Sequence, residues 1–207
     1  MTEGTWWPHR LAEVPPRAVA QRVPLTNIPA RNSPLGSLVY RRAVYSRNDV
    51  SWFSTRSWSS RTRREDVEAM KVAKTRLDRE VIAGAADEVV VLIRLLIGEP
   101  DGWLITTVPV GHSRRPDSFA VQLAGSVADR LGLTFEKVFA DRFVSGSSHP
   151  KEYRKLAPLR RLRDVATPAI IIDDIATSGW HLEESVTHLR AFGLPVIAAT
   201  WISGSVK

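Results

Sequence analysis

The stretch "PAIIIDDIATSGWHLEESV", residues 168–186, decides how this chain is read. An apolar run from Ala169 to Ile172 leads straight into two adjacent acids, Asp173 and Asp174, and Ile175 follows them. Small and hydroxyl residues come next, Ala176, Thr177, Ser178 and Gly179, and then an amphipathic segment begins. Two like charges side by side repel. A chain that sets them at the end of a buried strand needs something nearby to offset that repulsion.

Around this stretch the pattern alternates. "WLITTVPV" (103–110), "TFEKVFA" (134–140), "AIIIDD" (169–174) and "PVIAATWIS" (195–203) read as strands. "DSFAVQLAGSVADRLG" (117–132) and "GWHLEESVTHLRAFG" (179–193) read as helices between them. That rhythm predicts right-handed βαβ units, hence an α/β fold with a parallel sheet covered on both faces. Upstream, "EDVEAMKVAKTRLDREVIAG" sets Val67, Met70, Ala73 (or Lys74) and Leu77 at helical spacing, which predicts a helix ended by Gly84. "DEVVVLIRLLI" (87–97) predicts a second, more buried helix that starts at Asp87.

A chain of 207 residues with 43% apolar content has enough material for one domain with a real core. It has no cysteine, which excludes disulfides, thiolate metal sites and cysteine nucleophiles together. No long apolar run and no signal-like N-terminus are present, so a cytoplasmic protein without membrane contact is expected.

The formal charge of +7 is unevenly spread. Residues 1–64 carry 11 Arg against 3 acids, whereas residues 65–207 carry 18 basic and 19 acidic residues. Trp6, Trp7, Trp52 and Trp58 also lie in the basic third, and six of the 13 prolines fall within residues 1–35. The expected division is therefore a basic Pro/Trp/Arg-rich extension or hood over 1–64 and an α/β domain over 65–207. Within the extension, "SLVYRRAVYSR" (37–47) is compatible with a strand or hairpin arm, and "SWFSTRSWSSRTRR" (51–64) shows no helical stripe.

Ligands of open parallel sheets collect at the carboxyl ends of the strands. Asp173 and Asp174 are expected at such an end, with Gly179 opening the next helix. The loop between aims backbone N–H groups, the Thr177 and Ser178 hydroxyls and a helix N-terminus at one point, which suits a phosphate. Carboxylates beside it accept from two vicinal hydroxyls. Acids for a diol and a cradle for a phosphate describe a ribose 5-phosphate site, and the diol with a nearby cation would offset the repulsion. The plainer reading is a helix N-cap with a turn, which one Asp followed by Thr, Ser and Gly also satisfies. No G-x-x-x-x-G-K-[ST] and no G-x-G-x-x-G occurs in the chain.

"IIIDDIATSG" resembles the signature of type I phosphoribosyltransferases, and "VPVGHSRRPDSFAVQLAGSVADRLGL" upstream is most similar to the ComF-like (competence protein) branch. The resemblance spans roughly residues 103–202. The chain departs from the family at Trp180, at His181 and in "RPDSFAVQ". The resemblance implies a phosphoribosyltransferase, a glycosyltransferase that binds phosphoribosyl pyrophosphate with Mg²⁺ and releases pyrophosphate. By position, Asp173 and Asp174 would hold the ribose 2′ and 3′ hydroxyls, and Ala176, Thr177, Ser178, Gly179 and Trp180 the 5′-phosphate. Val110, Gly111, His112, Ser113, Arg114 and Arg115 would form the pyrophosphate loop. The segment after Asp141, with Lys151, Arg154 and Lys155, would be a flap. Mg²⁺ would be held through the ligand and water, with no direct protein ligand.

Arg114 and Arg115 suit a diphosphate on their own account, since guanidinium forks match it, although a solvated basic turn reads the same way. Gly111-His112-Ser113 lacks the second Gly of a hydrolase elbow. His181 and His188 share a helix face, with no third metal ligand evident. In the basic third, Arg interleaved with aromatic rings is what single-stranded nucleic acid binding needs, and equally what packing or interface anchors need. The alternative to an enzyme is thus a protein of this fold that binds single-stranded DNA or a protein partner through residues 1–64; a homo-oligomer arm is the further option.

Overall fold

The computed structural model describes residues 42–58, 64–110, 117–142 and 158–204. Their elements are β1 (Ala43–Arg47), β2 (Val50–Ser57), α1 (Arg64–Arg76), α2 (Arg79–Ile97), β3 (Leu104–Thr107), α3 (Phe119–Leu131), β4 (Thr134–Phe135), β5 (Ala169–Ala176), α4 (Trp180–Arg190) and β6 (Val196–Ser203). They form a mixed α/β fold around one six-stranded sheet, ordered β1-β2-β6-β5-β3-β4. Among these strands β1 and β2 pair antiparallel, and the other four pairings are parallel.

β5 sits inside the sheet between β3 and β6, and all but one of its eight residues are buried. Its near-continuous apolar run follows from coverage on both faces. Ile170 and Ile172 join a core with Met70, Val89, Ile93, Phe119 and Leu123 of α1, α2 and α3. Ile171 points the other way, into a second core with Leu182, Val186 and Leu189 of α4.

The expected break between the first two helices is displaced. Gly84 lies inside α2 and so ends no helix. The chain turns at Leu77, in the left-handed region at φ 53°, and Asp78 caps α2 by accepting from the backbone N–H groups of Glu80 and Val81, both at 3.1 Å. Asp87 is therefore a mid-helix residue. β3 is shorter than the apolar stretch 103–110, and only Thr134–Phe135 of "TFEKVFA" pairs with it. The remainder of that stretch leaves the sheet, and Phe139 bridges to Arg161 instead.

The segment 51–64, without a helical stripe, holds most of β2, which pairs parallel with β6. β1 and β2 lie before residue 64, yet they share the sheet with the rest of the chain. A two-residue turn at Asn48 and Asp49 joins them, with Asn48 in the left-handed region at φ 48°. β2 buries polar side chains because the backbone satisfies them: Thr55 Oγ1 donates to the Trp201 carbonyl and Ser54 Oγ to the Arg56 carbonyl, each at 2.6 Å.

Arg56 is buried and joins β2 to α2 through Glu88, with Nε to Oε2 at 2.8 Å and Nη2 to Oε1 at 2.5 Å. Trp201 Nε1 of β6 donates to the same carboxylate at 3.0 Å. One acid thus satisfies donors from two strands. Among the described residues no helix is long and apolar enough to cross a membrane. Truncation of Glu88 leaves the buried Arg56 guanidinium without this carboxylate, so Glu88→Ala should lower unfolding stability by about 3 kcal/mol in urea titrations. A loss below about 1 kcal/mol would show that this pair does not tie β2 to α2.

Candidate functional site

Asp173 and Asp174 are 9% and 6% exposed. β5 continues two residues past them, through Ile175 and Ala176, which pair with Ile202 and Ser203 of β6. The acids therefore lie within the last residues of the strand rather than beyond it. Each carboxylate is oriented by the backbone that follows: Asp174 N–H donates to Asp173 Oδ1 at 2.9 Å, and Ile175 N–H to Asp174 Oδ1 at 2.7 Å.

The cation that offsets the pair is Lys74, from the last turn of α1, with Nζ 2.7 Å from Asp174 Oδ2. Sequence reasoning places this position on the helix stripe and gives it no role. A basic residue where the stripe calls for an apolar one is the available signal. Burial works against the Lys74 ammonium, but the Asp174 charge, its hydrogen bond and the Asp173 charge together hold its pKa above the ordinary lysine value. Asp173 is pushed up to about 8, first by burial and next by the Asp174 charge, with the Lys74 charge pulling the other way.

The turn after β5 is tied at its start, where the Ala176 carbonyl accepts from Gly204 N–H at 3.0 Å. Ala176 is buried, Thr177 exposed and Ser178 half-buried. Gly179 opens α4 at φ 69°, and among the described residues no side chain caps the helix. Its close neighbour is the Trp52 ring of β2: a Cβ built on Gly179 would lie 2.1 Å from Trp52 Cη2. Glycine is required here twice, for its φ and for this approach.

Trp52, 3% exposed, is itself fixed. Its indole N–H donates to Ser203 Oγ at 3.0 Å, that hydroxyl is 2.8 Å from Thr200 Oγ1, and Tyr45 stacks on the ring at 6.0 Å. Arg47 lies 4.8 Å from the centroid of the Trp180 ring and bonds Glu183 at 2.5 Å, and Asn48 donates to the same carboxylate. The hairpin therefore braces the first turn of α4 from outside. Its aromatic residues serve packing: Trp52 is buried, and Trp58 packs on the main core with its backbone N–H on the Ser203 carbonyl at 2.9 Å. Trp6 and Trp7 lie outside the described residues.

Val110 is buried beyond the end of β3, and its carbonyl accepts from Arg142 N–H at 2.9 Å. The Arg142 guanidinium grips Glu184 of α4, with Nη1 to Oε1 at 2.8 Å. Gly111, His112, Ser113, Arg114 and Arg115 lie outside the described residues, as do Lys151, Arg154 and Lys155. Arg161 is engaged away from the acids, over the Phe192 ring at 3.5 Å and 3.1 Å from Asp164. His188 packs edge-on against Phe139, and burial, then the Arg161 charge, holds its pKa below the ordinary histidine value. Among the described residues no group of three or more His, Cys, Asp and Glu side chains could enclose a metal ion.

No protein-family model matches the chain, and no curated protein matches it. Solved structures do. Orotate phosphoribosyltransferase from Aeropyrum pernix aligns at TM-score 0.40 and 14% identity over 81% of this chain and 76% of that one. A hypoxanthine phosphoribosyltransferase from Staphylococcus aureus aligns at TM-score 0.39 and 10% identity, over 62% and 74%. A hypoxanthine-guanine phosphoribosyltransferase from Bacillus anthracis gives TM-score 0.34 and 15% identity, over 62% and 72%.

Two outcomes follow from the geometry. Gly179→Ala should cost at least about 2 kcal/mol, and Trp52→Phe, whose ring stops short of the indole's outer atoms, should return roughly 1 kcal/mol of that in a double-mutant cycle. Strict additivity would mean that the ring does not press on the turn. The second concerns pH. Folded Asp173 holds its proton more tightly than the unfolded chain does, so its contribution is fully present below the unfolded carboxyl pKa of about 4 and is lost as pH rises to about 8. Asp173→Asn lacks this slope. Melts at about pH 5 and about pH 8.5 should show the variant gaining on the wild type at the higher pH, by up to about 1.4 kcal/mol per unit across that window. Equal differences at both values would show that Asp173 is ionised throughout.

Proposed function

We propose that the chain binds phosphoribosyl pyrophosphate with Mg²⁺ and transfers its phosphoribosyl group to an acceptor, releasing pyrophosphate. One observation carries this reading. A buried acid pair lies near the end of the central parallel strand β5, and a left-handed glycine, Gly179, opens the helix that follows with no side-chain cap among the described residues. Hydroxyl acceptors and an anion-binding helix end then lie at the two ends of one short turn.

In this reading Asp173 and Asp174 accept hydrogen bonds from the ribose hydroxyls. Backbone N–H groups from Ala176 to Trp180, with the Thr177 and Ser178 hydroxyls, hold the 5′-phosphate. Residues 110–115 form the pyrophosphate loop, and Lys151, Arg154 and Lys155 belong to a flap that excludes water from the oxocarbenium-like C1 centre. The protein contributes chiefly by positioning and by stabilising the leaving group electrostatically.

The residues present fit Mg²⁺ held indirectly. Lys74 engages Asp174, and among the described residues Asp173 has no ion pair of its own, so a hydrated cation beside Asp173 would favour its ionised form. When bound, the ion supplies charge neutralisation for the diphosphate.

Calorimetric titration tests the reading. Phosphoribosyl pyrophosphate with Mg²⁺ should give saturable heat and a thermal shift, and Asp174→Asn should weaken binding roughly 10- to 100-fold, as expected for a lost charge-assisted contact. No heat and no shift with the wild-type chain would end it.

A further inference from the structure

We infer that Lys74 is a positioning residue for the sugar site: its ammonium clamps the Asp174 carboxylate in the orientation that receives the pentose hydroxyls. This rests on the functional reading just given and deepens it. It also makes the site depend on a helix that precedes the strand-turn-helix stretch by about 100 residues.

The geometry is that of a carboxylate held at both oxygens. Asp174 Oδ1 accepts the Ile175 N–H at 2.7 Å, and Oδ2 meets Lys74 Nζ at 2.7 Å. A carboxylate so held cannot rotate about its last bond without losing one partner. Each oxygen nevertheless has a second lone pair, so it can still accept from a hydroxyl. A clamped acceptor gives more of its hydrogen-bond energy to the ligand, because little rotamer freedom remains to be lost on binding.

Lys74 is itself well placed for the role. Its side chain is 35% exposed overall against 9% for Asp174, while its ammonium is desolvated where it meets the carboxylate. Its stem leaves a helix end fixed on both sides. Met70 and Ala73 are packed in the interior, Asp78 N–H returns to the Ala73 carbonyl at 3.1 Å, and Leu77 N–H to the Lys74 carbonyl at 3.4 Å. The tight turn into α2 therefore sets where Lys74 begins.

There is a charge argument as well. A phosphorylated pentose brings negative charge to a place that already holds two carboxyl groups. The Lys74 ammonium, paired with Asp174, offsets that carboxylate's share of the repulsion. Neutral ribose gains only the orientation.

Lys74→Met keeps the length and apolar stem and removes the charge; Lys74→Arg restores it. Calorimetry with phosphoribosyl pyrophosphate and with ribose 5-phosphate should show Lys74→Met weakening both by roughly 10- to 100-fold. Lys74→Arg should recover most of that loss. Lys74→Met combined with Asp174→Asn should be no weaker than Asp174→Asn alone, since the lysine acts through the acid. A residue that only supported the fold would give additive losses and no rescue. Should Lys74→Met fail to fold, Lys74→Gln decides by the same comparison. If the wild type binds and the Lys74→Met or Lys74→Gln variant binds as well or better, the lysine is a plug rather than a clamp and the assignment falls alone. If the wild type binds neither ligand, the functional reading falls and takes this assignment with it.

Discussion

Two carboxyl groups buried side by side in a parallel sheet are costly, and the rest of the site is arranged around that cost. The chain offsets it in two different ways. Asp174 is met by an ammonium, whereas Asp173, without an ion pair among the described residues, is driven toward its neutral form. Adjacent residues of one type thereby become chemically distinct. The difference originates in a helix that ends just before a left-handed leucine, far from the acids in sequence.

The second dependence runs through the hairpin. β2 lies against β6, and from there Trp52 reaches under the Gly179 turn while Arg47 and Asn48 hold Glu183 of the helix that follows. From sequence, its aromatic and basic residues suit nucleic acid binding and packing anchors equally. Trp52, Trp58 and Arg56 are anchors inside the sheet and its core. The excess of 11 Arg over 3 acids in the first third says little about which of its charges face solvent.

Strong local signals carried the legible part. The apolar run into Asp173, the glycine that follows the acid pair at position 179, and the amphipathic segment beyond it were enough for β5, the turn and α4. What escaped was anything whose partner lies far away. β2 hides its hydroxyls on backbone carbonyls of β6 and of itself, so its burial leaves no hydropathy trace. Gly84 suggests a helix end because glycine often marks one, but the stop is made at Leu77 and Asp78, whose capping bonds are local. Lys74 shows in the sequence only as a charge on a helix stripe, and nothing in sequence says what such a charge faces.

The placement of β2 beside β6 has a consequence for how the chain is made. Residues 53–57 find their parallel sheet neighbour only in residues 199–203, about 150 positions further along the chain. Until those emerge, Trp52 has no Ser203 and the hairpin has a bare edge. Assembly must therefore close a loop of about 150 residues, which slows folding and keeps the strand unsatisfied until its partner is made. The brace beneath the site is the earliest described part to be synthesised, and the strand it pairs with is the last described one.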